Sequence, residues 1–138
     1  MNTSRFARAL VLFLLATPVL LAAEDLTGKW GGTFVFTEEG QPHDDVAHMV
    51  AKQTGAELTG TVGPNPDKQF PILKGKIETT KEAGKESTKV TFDVEPNGAG
   101  GPVMHFLLAL VDGHLKGNAK GEHDGQTMSA TVDLTRLK

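Results

Sequence analysis

The sequence predicts an all-β protein, an eight-stranded antiparallel up-and-down barrel, on three observations. Short runs alternate between apolar and polar residues with a period of two along most of the chain. Gly, Pro and Asp-Gly segments suited to turns separate those runs. Two of them, Asp112-Gly113 and Asp124-Gly125, suit two-residue hairpins whose registers choose the same inward face for the strand they share. An even number of strands lets the last close antiparallel on the first.

The first 23 residues stand apart from this pattern. Arg5 and Arg8 precede an apolar run from Ala9 to Leu15 and a second from Val19, which reads as a secretory signal peptide cut after Ala23. As a membrane span the segment is short, and Pro18 interrupts it. The expectation is therefore a single exported domain over residues 24–138, periplasmic or extracellular. About 115 residues suffice for one domain and leave no room for a second. All 17 Asp and Glu but only 12 of the 14 Lys and Arg fall after residue 23, a formal charge of −5 that does not favour nucleic acid or an anionic bilayer as partner. Cys is absent, which excludes disulfides and lipid attachment at cysteine.

The first expected strand, 28–37, holds the single Trp. Trp30, Gly32, Phe34 and Phe36 share its inner face, with Lys29, Thr33 and Thr37 outside. Residues 38–45 read as an acidic loop. Over 46–53, Asp44 could cap a short helix bearing Val46, Ala47 and Val50, but a strand is preferred because it pairs with 57–63 across Thr54-Gly55. That register sets Lys52 opposite Glu57 and puts Ala47, Met49 and Ala51 on the face of Leu58, Gly60 and Val62. Pro64 and Pro66 mark 63–68 as a loop that cannot continue a ladder. The next strand, 69–79, needs a one-residue bulge at Gly75 to bring Phe70, Ile72, Ile77 and Thr79 to one side. Residues 80–87 read as a charged loop. The strand 88–95 points Val90, Phe92 and Val94 inward, and 96–101 is a Gly-rich turn.

The last three strands, 102–111, 114–121 and 126–135, carry the strongest local argument. Across the first Asp-Gly turn Leu110 faces Leu115, Leu108 faces Gly117, Phe106 faces Ala119 and Met104 faces Gly121. Across the second, Leu115 faces Leu134, Gly117 faces Val132, Ala119 faces Ala130 and Gly121 faces Met128. Outside, Lys116 meets Asp133. A transmembrane barrel needs two aromatic girdles, and five Phe and one Trp after residue 23, with no Tyr, are too few, so the chain is not expected to be membrane-embedded.

Gly28-Lys29-Trp30 resembles the Gly-x-Trp of the lipocalin first strand, and Arg136 sits where that family places an arginine on the last strand. Leu58-Thr59-Gly60-Thr61 resembles an avidin second-hairpin sequence. The pattern is similar to the calycin group, and to small secreted bacterial lipocalin-like domains with no assigned activity. It implies a barrel plugged at one end by Trp30 and Arg136, as the strand count also places them, with the guanidinium on the indole worth about 1 kcal/mol. Biotin recognition does not carry over, because the avidin pattern needs a Tyr and further Trp residues that this chain lacks.

No catalytic residue, metal or cofactor is assigned. His43 and His123 could meet at the open end near Asp44, Asp45 and Asp124, but a solvated polar rim is preferred to a metal site. Ser87 and Ser129, the serines after residue 23, have no His placed beside them. The function expected first is the binding of one small apolar molecule, in space left by Gly117, Ala119 and Gly121 and bounded by Phe34, Phe36, Met49, Phe92, Met104, Phe106 and Met128, open at the end opposite Trp30. The alternative is an envelope or extracellular interaction protein with a filled core, docking a protein partner or a second copy of itself through the outward residues Leu107, Ala109 and Val111.

Overall fold

The computed structural model describes residues 25–138 except Glu39, Ala99 and Asp124, with the backbone alone of Glu38, His123 and Gln126. The expected signal peptide, 1–23, lies outside the described residues, as does Asp124 of the second Asp-Gly turn. Among the described residues nine strands follow one another: β1 Gly28–Glu38, β2 Gln41–Thr54, β3 Glu57–Asn65, β4 Lys68–Pro71, β5 Leu73–Glu82, β6 Lys85–Val94, β7 Met104–Val111, β8 His114–His123 and β9 Gln126–Arg136. Every pairing is antiparallel. Because β2 pairs with both β1 and β3, and β1 pairs with β9, the sheet closes as a ring.

The two C-terminal hairpins have the expected registers throughout, from Met104 opposite Gly121 to Leu115 opposite Leu134. Asp112 and Gly113 both take positive φ, 51° and 81°, as the two central residues of a type I′ turn must. Lys116 Nζ lies 3.9 Å from Asp133 Oδ2 on the outer face. Residues 46–53 are strand, with Met49 opposite Val62 and Ala51 opposite Gly60.

Elsewhere the ladders run further than expected. The acidic segment 38–45 is not a loop: β1 and β2 stay paired to Glu38 and Gln41. The charged segment 80–87 is also a hairpin, turning at Ala83 and Gly84 with φ of 51° and 79°. Its cross-strand neighbours complement each other, Glu78 with Lys89, Lys81 with Glu86 and Glu82 with Lys85, which favours a ribbon over a loop. Strand β3 continues through Pro64 to Asn65, because pairing with β2 has already ended at Gly63 and the β3–β4 ladder bulges there. Asn65 Oδ1 then accepts the N–H groups of Asp67 and Lys68 at 3.0 and 2.9 Å, closing a tight turn.

Two registers differ. The turn between β2 and β3 is Gly55-Ala56, one residue later than Thr54-Gly55, so Lys52 faces Thr59 and Glu57 faces Thr54. Gly55, at φ 63°, takes the first turn position, and the two-residue slip leaves the inward face unchanged. The expected strand 69–79 is two strands broken at Ile72, which is why there are nine. The bulge falls between Leu73 and Lys76, with Lys74 at φ 53°, and returns Ile77 to the core with Ile72. Thr79, expected on the same side, is exposed on the protruding hairpin.

The core runs along the inside of the ring, and Trp30 at one end of it is fully buried. Residues 25–27 fold across this end before β1 begins. The Trp30 indole N–H donates to Leu26 O at 2.9 Å, buried Leu26 N donates to Gln53 Oε1 at 2.9 Å, and Gln53 N donates to Thr27 Oγ1 at 3.0 Å. Arg136, opposite Trp30 on β9, places its guanidinium carbon 4.6 Å from the indole centroid. Its Nη1 donates to Thr27 O at 3.1 Å and its Nη2 to Asp25 O. The Asp25 carboxyl is held below its usual value by hydrogen bonds from the Thr27 N–H and hydroxyl, with Arg136 adding and desolvation opposing.

Gly32 and Gly117 face inward, but their small size serves the backbone. A Cβ on Gly117 would lie 1.9 Å from Leu107 O, and one on Gly32 would lie 1.9 Å from Asp133 O. Neighbouring strands approach so closely at these points that only a hydrogen fits, as where a sheet bends sharply to close.

Candidate functional site

Four connections gather at the end opposite Trp30: the β1–β2, β3–β4 and β8–β9 turns and the segment 95–103 between β6 and β7. There β2 overruns its partner β3, whose pairing starts only at His48, and β4 lies at the end of β3. A cleft of about 180 Å³ opens between these elements. Its walls are Phe34, Ala47, Val62, Phe70, Phe92, Val94, Met104, Phe106, Val132 and Leu134, with Pro64 and Pro96 at the mouth. Among the described residues Asp45 is the one ionisable group lining it.

Aromatic rings form a continuous path from rim to floor. His43 stacks on Phe36 at 5.2 Å and 21°, Phe36 meets Phe34 at 6.2 Å, Phe34 meets Phe106 at 6.2 Å, and Phe106 stacks on Phe92 at 4.6 Å and 12°. The period-two pattern puts Phe34, Phe36, His43 and Asp45 on the inward parity of the β1–β2 hairpin, where Phe34 faces Asp45 and Phe36 faces His43. Asp45 Oδ1 accepts the N–H of Val46 at 2.8 Å, and Oδ2 has no partner among the described residues.

Of the residues expected around a cavity, Phe34, Phe92, Met104 and Phe106 come together there. The other five do not line it. Phe36 packs at the rim. Met49 is buried opposite Trp30, at the plugged end, because β2 runs down into the ring. Met128 is half-buried opposite Gly121, close to the β8–β9 turn. Ala119 is fully buried between Phe106 and Ala130, and Gly117 is small because Leu107 O approaches it, so neither leaves a vacant wall. The other lining residues, Val62, Phe70, Val94, Pro64 and Pro96 among them, were not expected there. Their signal in the sequence was the pair of prolines flanking inward-facing residues of β3 and β6.

A second concavity, about 800 Å³, opens in the wall of the ring where the β5–β6 ladder is broken. Lys74, Lys76 and Lys120 line it beside Asp93 and His105, together with Leu58, Ile72, Phe92 and Phe106, so it is a broad gap of mixed polar and apolar character. His105 Nδ1 lies 2.6 Å from Asp93 Oδ1, and His114 Nδ1 lies 2.7 Å from Asp133 Oδ1. Cross-strand register brings these pairs together, and neither imidazole meets a hydroxyl among the described residues. His43 is exposed on β2, not on a loop, and the side chain of His123 lies outside the described residues. Among the described residues no three His, Cys, Asp or Glu converge on a point where they could hold a metal, and no helix is long and apolar enough to cross a membrane. On the outer face Leu107 and Val111 are 49% and 46% exposed, with Ala109 half-buried between them.

Comparison with protein-family models, curated proteins and solved structures finds no significant match to this chain.

Proposed function

We propose that this chain is an exported, calycin-like barrel that binds one small apolar molecule at the end opposite Trp30 and carries out no chemistry on it. The observation that carries this reading is the cleft itself: aromatic and aliphatic walls with, among the described residues, a single ionisable group, Asp45. Apolar cavities of about 150 Å³ take up benzene, so the cleft suits one substituted aromatic ring or a compact aliphatic group. Ala47 is buried in the wall, and Ala47→Phe should fill the space. Ligand-observed NMR with tert-butylbenzene should show binding to the natural chain and none to Ala47→Phe, with thermal stability kept. Equal binding by both would remove the cleft from consideration.

Export rests on the N-terminal segment, Arg5 and Arg8 before an apolar run ending in small residues. Sequencing of the protein recovered from the cell should begin at or near Glu24, and material retaining Met1 in a membrane fraction would refute it. The second reading, an interaction protein with a filled core, is favoured by the exposed stripe of Leu107, Ala109 and Val111.

A further inference from the structure

We propose that the molecule this cleft accepts is an organic cation, an ammonium group carried on a compact apolar body, a proposal that rests on the cleft being the binding site. Three features of the same place converge on it. The walls carry three aromatic rings, Phe34 across the β1–β2 ladder from Asp45 and the stacked pair Phe92 and Phe106 beyond it, and a ring attracts a cation within about 6 Å of its centroid. Among the described residues the one ionisable group lining the cleft is a carboxylate, Asp45, whose Oδ2 has no partner among them. Its place is at the edge, where a charged head would sit while an apolar body lies deeper.

The charge around the mouth has the same sign. Among the described residues Asp44, Asp45, Asp67, Glu95 and Glu122 stand at this end of the ring, against Lys68 and, further in on the outer face, Lys120. An apolar cavity behind a negative rim concentrates field at its entrance and raises the local concentration of a cation. A neutral molecule gains nothing from this arrangement and an anion is repelled. A fully hydrated metal ion would lose its water against walls that offer a single carboxylate, Asp45, among the described residues to replace it. An alkylated ammonium is weakly hydrated and keeps its apolar contacts, so walls and rim both favour it.

The test uses three molecules of nearly equal size and shape that differ in charge: phenyltrimethylammonium, neutral tert-butylbenzene and benzenesulfonate. At low ionic strength the cation should bind about ten-fold more tightly than the neutral molecule, and the anion more weakly than either. The ratio of cation to neutral affinity should fall in Asp45→Asn and as salt is raised, and should be unchanged in Asp112→Asn at the opposite end of the ring. Neutral binding with no preference for the cation overturns this proposal and leaves the apolar-ligand reading standing. Failure of all three molecules to bind overturns both. If Asp45→Asn fails to fold, the salt dependence of the ratio decides, since a ratio insensitive to salt rules out electrostatic selection.

Discussion

Trp30→Ala should lower the stability of this protein by about 3–5 kcal/mol, the cost of removing a large, fully buried aromatic. The effect extends beyond the cavity left behind. Trp30 anchors buried Leu26 through its indole N–H and supports the Arg136 guanidinium, so two parts of the plug lose a partner together. Because it is the single Trp of the chain, unfolding has to be followed by circular dichroism in urea. Arg136→Ala should be milder, about 1 kcal/mol, and should shift the Trp emission to the red as water reaches the indole. Wild-type stability and emission in that variant would mean that the cation does not cover the ring in solution.

Gly117→Ala is the smallest substitution with a large expected effect. The added Cβ would meet a main-chain oxygen, Leu107 O, at 1.9 Å, and no side-chain rotation can relieve it. Strands β7 and β8 would have to separate in mid-ladder, and about 3 kcal/mol, the upper end of the usual overpacking cost, is expected from the denaturation midpoint. The two explanations of this glycine diverge here. Were it small to leave room for a ligand, alanine would be tolerated and would weaken binding. A backbone origin predicts lost stability, and a folded variant of undiminished stability would refute it.

The parts of the fold legible in the sequence were those where two local signals agree. Asp112-Gly113 constrains the turn and Leu108 and Leu110 set the face, so the register of β7, β8 and β9 follows residue by residue. Trp30 and Arg136 share inward parity at one end, and the structure pairs them. Signals failed where both faces of a strand meet water. Residues 41–46 are exposed on either side and carry no alternation, so their hairpin read as a loop. The same holds for 78–87, where order shows only in cross-strand charge pairs, which require the register to be known first. For the site, parity identified Phe34, Phe92, Met104 and Phe106 as inward but says nothing of depth. Met49 was misplaced for that reason. Phe70 and Val62 reach the cleft through the break at Ile72 and the β3–β4 turn, which depend on tertiary pairing.

Apart from the short β3–β5 ladder across the break at Ile72, every strand pairing in the ring joins sequence neighbours but one, the ladder between β1 and β9. Hydrogen bonds at its plugged end span 104 to 111 residues, from Thr135 to Gly31 and from Arg136 to Thr27 and Asp25. The hairpins can form from nearby segments at modest chain-entropy cost, whereas this seam requires the two ends of the domain to find each other. The costliest contact in conformational entropy is therefore concentrated in one ladder, and the Trp30–Arg136 plug sits at the end of that ladder. A residue pair that looks like a lid on the core is also the clasp that keeps the ring from reopening along its seam.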